Sequence, residues 1–189
     1  MAEPDVWDEV ALINVADTTP TNMTIAALSD TIDIDMGDKD GESIPSLSAG
    51  RLWKKTPEAD TTITFEGYPI SIGESADTTP TGLMQFFMGS MADSTEPLSV
   101  TASTTRILFR VTIMWTDDAT SGTARGDVTS GNYALRYDFQ NCYFISCKPS
   151  YTDKVLKATW KFKVAPFNKA GTANITVQSV DGTAAMTTI

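Results

Sequence analysis

The chain has 189 residues, a formal net charge of −10, 41% hydrophobic and 20% charged residues, two cysteines and no histidine. That composition is globular rather than disordered, and the chain is long enough to bury a core without disulfides or metals. The missing histidine excludes Ser-His-Asp and Cys-His catalysis and histidine metal sites.

No apolar run approaches the ~20 residues of a membrane span, so no membrane insertion is expected. The opening MAEPDVWDEV has neither the basic start nor the apolar stretch of a signal peptide, so folding in the cytoplasm is expected. In chain order, VWDEVALINVAD (6–17) reads as a first strand. TIDIDMGD (31–38) alternates Ile32, Ile34 and Met36 against Asp33 and Asp35, a strand with an acidic outer face. GDKDGESIPSLSAGR is rich in Gly, Ser and Pro and opens a long loop over 37–60. TTITFEGYPISIG (61–73) is a strand whose Gly67 and Pro69 point to a bulge or an edge.

One short α-helix is expected around 80–91. Thr79 can cap it, Pro80 suits its first position, and Leu83, Phe86 and Phe87 form an apolar stripe at helical spacing. Strands follow at 97–103, 105–118, 133–148, 153–167 and 173–180. The apolar parity of the 133–148 run slips near Gln140–Asn141, which predicts a bulge. SGTARGDVTSGN (121–132) is a loop. In KATWKFKVAPF (157–167), Ala158, Trp160, Phe162 and Val164 alternate with Lys157, Thr159, Lys161 and Lys163. The plan is mainly β: one domain over 1–189, a β-sandwich or barrel of about eight strands with that helix and that loop.

Few local motifs carry chemistry. DIDMGDKDGE (33–42) has Met36, and the chain five residues beyond it has Leu47, where a calcium loop needs ligands, so the stretch reads as a solvated acidic turn. Arg-Gly-Asp at 125–127 is ordinary turn chemistry. Asn22-Met-Thr24 and Asn174-Ile-Thr176 fit the glycosylation pattern but lack a secretory context. Cys142 and Cys147, five apart in one strand, would face opposite sides of a regular strand, which argues against a mutual bridge. No phosphate cradle, cofactor motif or singled-out carboxylate pair is present, so neither enzyme activity nor a cofactor is expected.

The charge is divided. Residues 1–100 hold 18 acidic and 4 basic residues, and residues 101–189 hold 6 and 10. A subunit that docks one part of itself on another part of a neighbour can use that split.

The order of features resembles the tail tube (major tail) proteins of long-tailed viruses, which share their fold with the tubes of contractile injection systems. Four stretches carry the likeness: the early strand followed by SIPSLSAGRLWKK, then TPEADTTITFEGYPISIG, then the helix GLMQFFMG, then YALRYDFQNCYFISCKPSYTDKVLKATWKFKVAPFNKAG running into ANITVQSVDGT. The acidic first half and the abundant threonine depart from the pattern.

The resemblance implies a structural virion protein without catalysis. Its copies form rings, usually of six, that stack into a tube with other tail proteins, assembled in the host cytoplasm. DNA crosses the bore without specific binding. On that reading Leu47, Arg51, Leu52, Trp53, Lys54 and Lys55 sit on a loop that reaches an adjacent subunit. Asp33 and Asp35 are candidates for the lumen wall, and Lys157, Lys161 and Lys163 for a subunit contact. A virion decoration or host-attachment β-sandwich is the alternative, and Arg-Gly-Asp with the Thr-rich loops would favour it.

Overall fold

A computed structural model describes residues 10–16, 22–25, 31–39, 41–45, 51–55, 58–67 and 108–189. Ten strands lie in these segments: β1 (Val10–Ala16), β2 (Asn22–Ile25), β3 (Asp33–Asp35), β4 (Gly41–Pro45), β5 (Arg51–Lys55), β6 (Thr61–Gly67), β7 (Leu108–Thr116), β8 (Tyr133–Thr152), β9 (Val155–Val164) and β10 (Ile175–Asp181). The protein is mainly β, as the alternating Ile, Val, Thr, Phe and Trp content dictates. One curled antiparallel sheet runs in the order β2-β1-β7-β8-β9-β6-β3, with β10 also pairing β8.

β8 organises this sheet. Its first half pairs with both β7 and β10, and its second half pairs with β9. Tyr143 has Leu108 on one side and Lys163 on the other, so β7 and β9 occupy opposite edges of β8. The β8–β9 connection is a two-residue turn at Asp153 and Lys154, both at positive φ (53° and 64°). That conformation matches the twist of a tight hairpin.

The expected bulge is present. Phe109 pairs with Cys142 and Val111 with Phe139, so β8 carries an extra residue, and Asn141 sits at φ 58°. A second bulge, at Ile145, lies between the pairs Phe144–Phe162 and Ser146–Lys161. It reverses the parity again, so Cys142 and Cys147 both turn toward the core rather than to opposite faces. No disulfide joins them. Burial pushes the Cys142 thiol up to about 12.

One face of the sheet makes the main core. Ile13, Val15, Ile63, Phe65, Val111, Ile113, Phe139, Trp160, Phe162 and Val164 are buried there. Phe162 is its centre, stacked on Phe144 at 4.9 Å and on Phe65 at 6.0 Å, with the edge of Phe109 at 6.1 Å.

The long connection expected at 37–60 is not all loop. It carries an antiparallel ribbon of β4 and β5, in register from Gly41–Lys55 to Pro45–Arg51. The Gly, Ser and Pro content hid the strand formers at its two ends. The expected helix with Leu83, Phe86 and Phe87, the strand at 97–103 and Leu47 lie outside the described residues.

Candidate assembly surface

Among the described residues, the other face of the sheet divides into a covered half and an open half. Over β1, β7 and the start of β8, the segment 117–132 and the C-terminal strip fold down on a small second core of Met114, Ala124, Val128, Ala134 and Met186. Carboxylates tie this cover in place. Asp118, 5% exposed, accepts from the N–H and hydroxyl of both Thr120 and Thr129. Those bonds hold its pKa well below the ordinary 3.8. Beneath the cover, Asp138 takes a bidentate pair from Arg110 (2.7 and 2.8 Å) and a bond from the Thr112 hydroxyl.

Arg136, 1% exposed, donates to the carbonyls of Arg125, Gly126 and Thr187. Arg125 donates to the Ile189 carbonyl, and Asp127 accepts from the Thr188 N–H and hydroxyl. The Arg-Gly-Asp tripeptide is therefore taken up in holding the C-terminal strip. Asn174 is similarly committed. It is 4% exposed, donates its amide to the Ala165 carbonyl, and accepts from the Asn141 amide at the bulge. It is not presented as a glycosylation acceptor.

The open half spans β3, β6, β9 and the second half of β8. The register builds cross-strand rows. Asp35, Thr62, Lys163 and Tyr143 form one, and Asp33, Thr64, Lys161 and Ser146 form the next. Residues paired across strands share a face, so Asp33, Asp35, Lys161 and Lys163 all point the same way, and all four are exposed. Lys157, half-buried, lies on the same side of β9. The aspartates and the lysines thus belong to one surface of one subunit, although they were expected to serve different surfaces.

Local bonds fix this face. Thr31 and Glu66 bond at one end of β6, and the Thr61 hydroxyl donates to the Met36 carbonyl at the other. Asp35 accepts from Gly37 N–H, and Gly37 turns the chain at φ 71° where a Cβ would meet the Ala59 carbonyl at 2.9 Å. Lys163 pairs with Asp60 at 3.2 Å. Asp33, Asp35 and Lys161 have no ion-pair partner among the described residues. The acids Asp33, Asp35, Asp60 and Glu66 balance Lys148, Lys157, Lys161 and Lys163, in a chain of net charge −10. At the β8 margin, exposed Tyr143 and Ile145 line a shallow depression of about 200 Å³ with Asp60, Lys163, Val164 and Ala165.

Arg51, Leu52, Trp53, Lys54 and Lys55 make up β5, off the main sheet. The Arg110–Asp138 pair and the buried Arg136 escaped the sequence reading. Their only trace is that Arg110, Arg136 and Asp138 fall on the non-core parity of two strands that pair.

No protein-family model matches the sequence, and no curated protein matches it at the sequence level. Solved structures do match. A chain of the anti-feeding prophage baseplate, from a six-fold symmetrised cryo-EM structure, superposes with TM-score 0.59 at 11% identity, covering 94% of this chain and 97% of that one. This is a tail-tube-like fold. A chain of the sheath-tube complex of an extracellular contractile injection system (PVC) matches with TM-score 0.52 and 12% identity, over 90% of this chain and 88% of that one. A chain of that system's sheath/tube terminator gives 0.51 and 14%, over 89% and 92%. At these identities the likeness is one of fold. Among the described residues, no group of His, Cys, Asp or Glu is placed to hold a metal, and no helix is long and apolar enough to cross a membrane.

Proposed function

We propose that the chain is a structural tail-tube subunit. Its copies close into rings, six to a ring, and the rings stack into a hollow tube joined to other tail proteins. In a viral tail, assembled in the host cytoplasm, the bore conducts the genome during ejection. The observation that carries this reading is the match of the curled sheet to injection-system chains over nearly its whole length.

The open half of the outer face is the candidate lumen wall. This face is built of Asp, Thr and Lys, hydrophilic side chains that suit a water-filled bore. The wall is charge-balanced. A balanced wall offers a polyanion few sites for counterion release, so DNA passes without specific binding. The expected role of Lys157, Lys161 and Lys163 then moves from a subunit contact to the bore, beside Asp33 and Asp35. The β4–β5 ribbon, with Arg51, Leu52, Trp53, Lys54, Lys55 and the nearby Leu47, is the candidate arm toward a neighbour. A two-stranded ribbon is marginal in water by itself, and docking would support it.

Ring closure is heterologous, one side of a subunit meeting a different side of the next. The acidic first half and basic second half fit that geometry. The Arg-Gly-Asp support for the attachment alternative is weakened, because Arg125 and Asp127 bind the chain's own C-terminal strip and the Gly126 carbonyl accepts from Arg136. Negative-stain electron microscopy of purified protein tests the proposal. Hollow rods or six-membered rings are expected. Compact particles under all conditions, with no ring or rod, would overturn it.

A further inference from the structure

The open face has a symmetry that the tube reading does not use. β6 runs along its middle with the short side chains of Thr62 and Thr64. β3, on one flank, carries Asp35 level with Thr62 and Asp33 level with Thr64. β9, on the other flank, carries Lys163 and Lys161 at the same two levels. Neighbouring strands are about 4.8 Å apart, so each acid stands about 10 Å from its level lysine across the face. Placing a second copy face to face, turned by half a rotation about the line of β6, sets β3 of each copy over β9 of the other. Asp35 then meets Lys163 of the partner subunit and Asp33 meets Lys161 of the partner subunit, twice over. No slip along the strands is needed, because both rows are already level.

We propose that the free subunit associates with a second copy through this face, as a weak two-fold dimer closed by these reciprocal ion pairs. Charge complementarity selects a second copy as the occupant. The short threonines of β6 lie between the two flanking rows and leave room for the longer lysines and aspartates to meet. Asp33, Asp35 and Lys161 have no competing ion pair among the described residues, and Lys163 would bridge Asp60 of its own chain and the partner's Asp35.

Of the remaining charges on the face, Lys148 and Lys157 lie outside the two rows. Glu66 and Asp60 lie at the two ends of the β6 line, each opposite its own copy in the partner; Asp60 is offset by its pair with Lys163, and Glu66 is the like-charge contact without such an offset. A two-fold pair cannot be part of a polar stack of rings. If the tube proposal also holds, this contact belongs to the unassembled subunit and competes with assembly.

The test is sedimentation of the unassembled fraction, after pelleting any tubes. Wild type at low salt should show a monomer–dimer equilibrium, weakened at least ten-fold by 0.5 M NaCl as screening shortens to a few ångströms. The pair Asp33→Lys/Asp35→Lys and the pair Lys161→Asp/Lys163→Asp should each sediment as monomers. An equal mixture of the two should recover dimers, because every contact then joins Lys to Asp. Recovery also demonstrates that both variants are folded. Glu66→Gln should tighten the dimer. Monomeric wild type at low salt, or a mixture of folded variants that stays monomeric, overturns the proposal. A mixture that grows past two copies overturns the two-fold geometry in favour of a head-to-tail contact. Tube formation is read separately by microscopy, so either proposal can fail alone.

Discussion

Asp33 and Lys161 lie on one face of one sheet, each level with Thr64 of the strand between them. The aspartates expected at the bore and the lysines expected at a subunit contact therefore share one charge-balanced face of the subunit.

That balance predicts the effect of breaking it. With this face on the bore, as proposed, Asp33→Lys with Asp35→Lys would make the wall cationic. Polyanions should then be retained in the bore, and more strongly at low salt, because new cationic sites gain by counterion release. DNA release from particles, compared at low and high salt, is the readout. Normal assembly with unchanged release at low salt would remove this face from the bore.

Phe162 tests the core. It is fully buried and in ring contact with Phe65, Phe109 and Phe144. Phe162→Ala should cost about 3–5 kcal/mol of folding stability, the usual range for a buried aromatic truncated to alanine. A denaturant melt showing a loss below about 1 kcal/mol would contradict the packing.

Much of this core was legible in the sequence. The strands from β7 onward follow from alternation of residues such as Trp160, Phe162 and Val164 against Lys161 and Lys163. The bulge at Gln140–Asn141 also follows, because the apolar parity changes there. The bulge at Ile145 left no such mark: Tyr143, Phe144 and Ile145 are all apolar or aromatic, so a shift of one residue changes nothing in the pattern. The shared face of Asp33 and Lys161 was equally hidden. Each alternation is local, but bringing them together depends on β6 pairing with β3 on one edge and β9 on the other, a non-local fact. Arg-Gly-Asp looked like a surface turn because its partners, Thr188 and Ile189, are some sixty residues away.

Asp118 predicts an acid-sensitive cover. Its folded-state pKa lies well below the ordinary 3.8 because both Thr120 and Thr129 donate to the carboxylate. The unfolded chain takes up the proton more readily, so this stabilisation is fully present above about pH 4 and is lost as pH falls toward the folded value. Asp127 and Asp181 are shifted the same way by Thr188 and Thr183. Asp118→Asn should lower the Tm at pH 7, and the gap to wild type should shrink steadily below pH 4. A gap that is constant with pH would contradict the carboxylate's role.

Arg136 predicts the fate of the C-terminal strip. Replacing it, as in Arg136→Met, takes the side-chain donor from the carbonyls of Gly126 and Thr187 and leaves the Arg125 carbonyl with its bond from the Ile189 N–H alone. A buried carbonyl left unpaired costs about 1–3 kcal/mol. Hydrogen exchange at the Thr188 amide should accelerate in this variant while amides of β9 stay protected. Equal protection of Thr188 in both proteins would show that the strip is held by other means.

The most direct test of the whole account is a cryo-EM reconstruction of the assembled protein, read for the position of β3, β6 and β9. The account predicts stacked rings with Asp33, Asp35, Lys161 and Lys163 on the wall of the bore, and β4–β5 reaching a neighbouring subunit. A tube in which this face is buried between subunits or turned to the outside would contradict it.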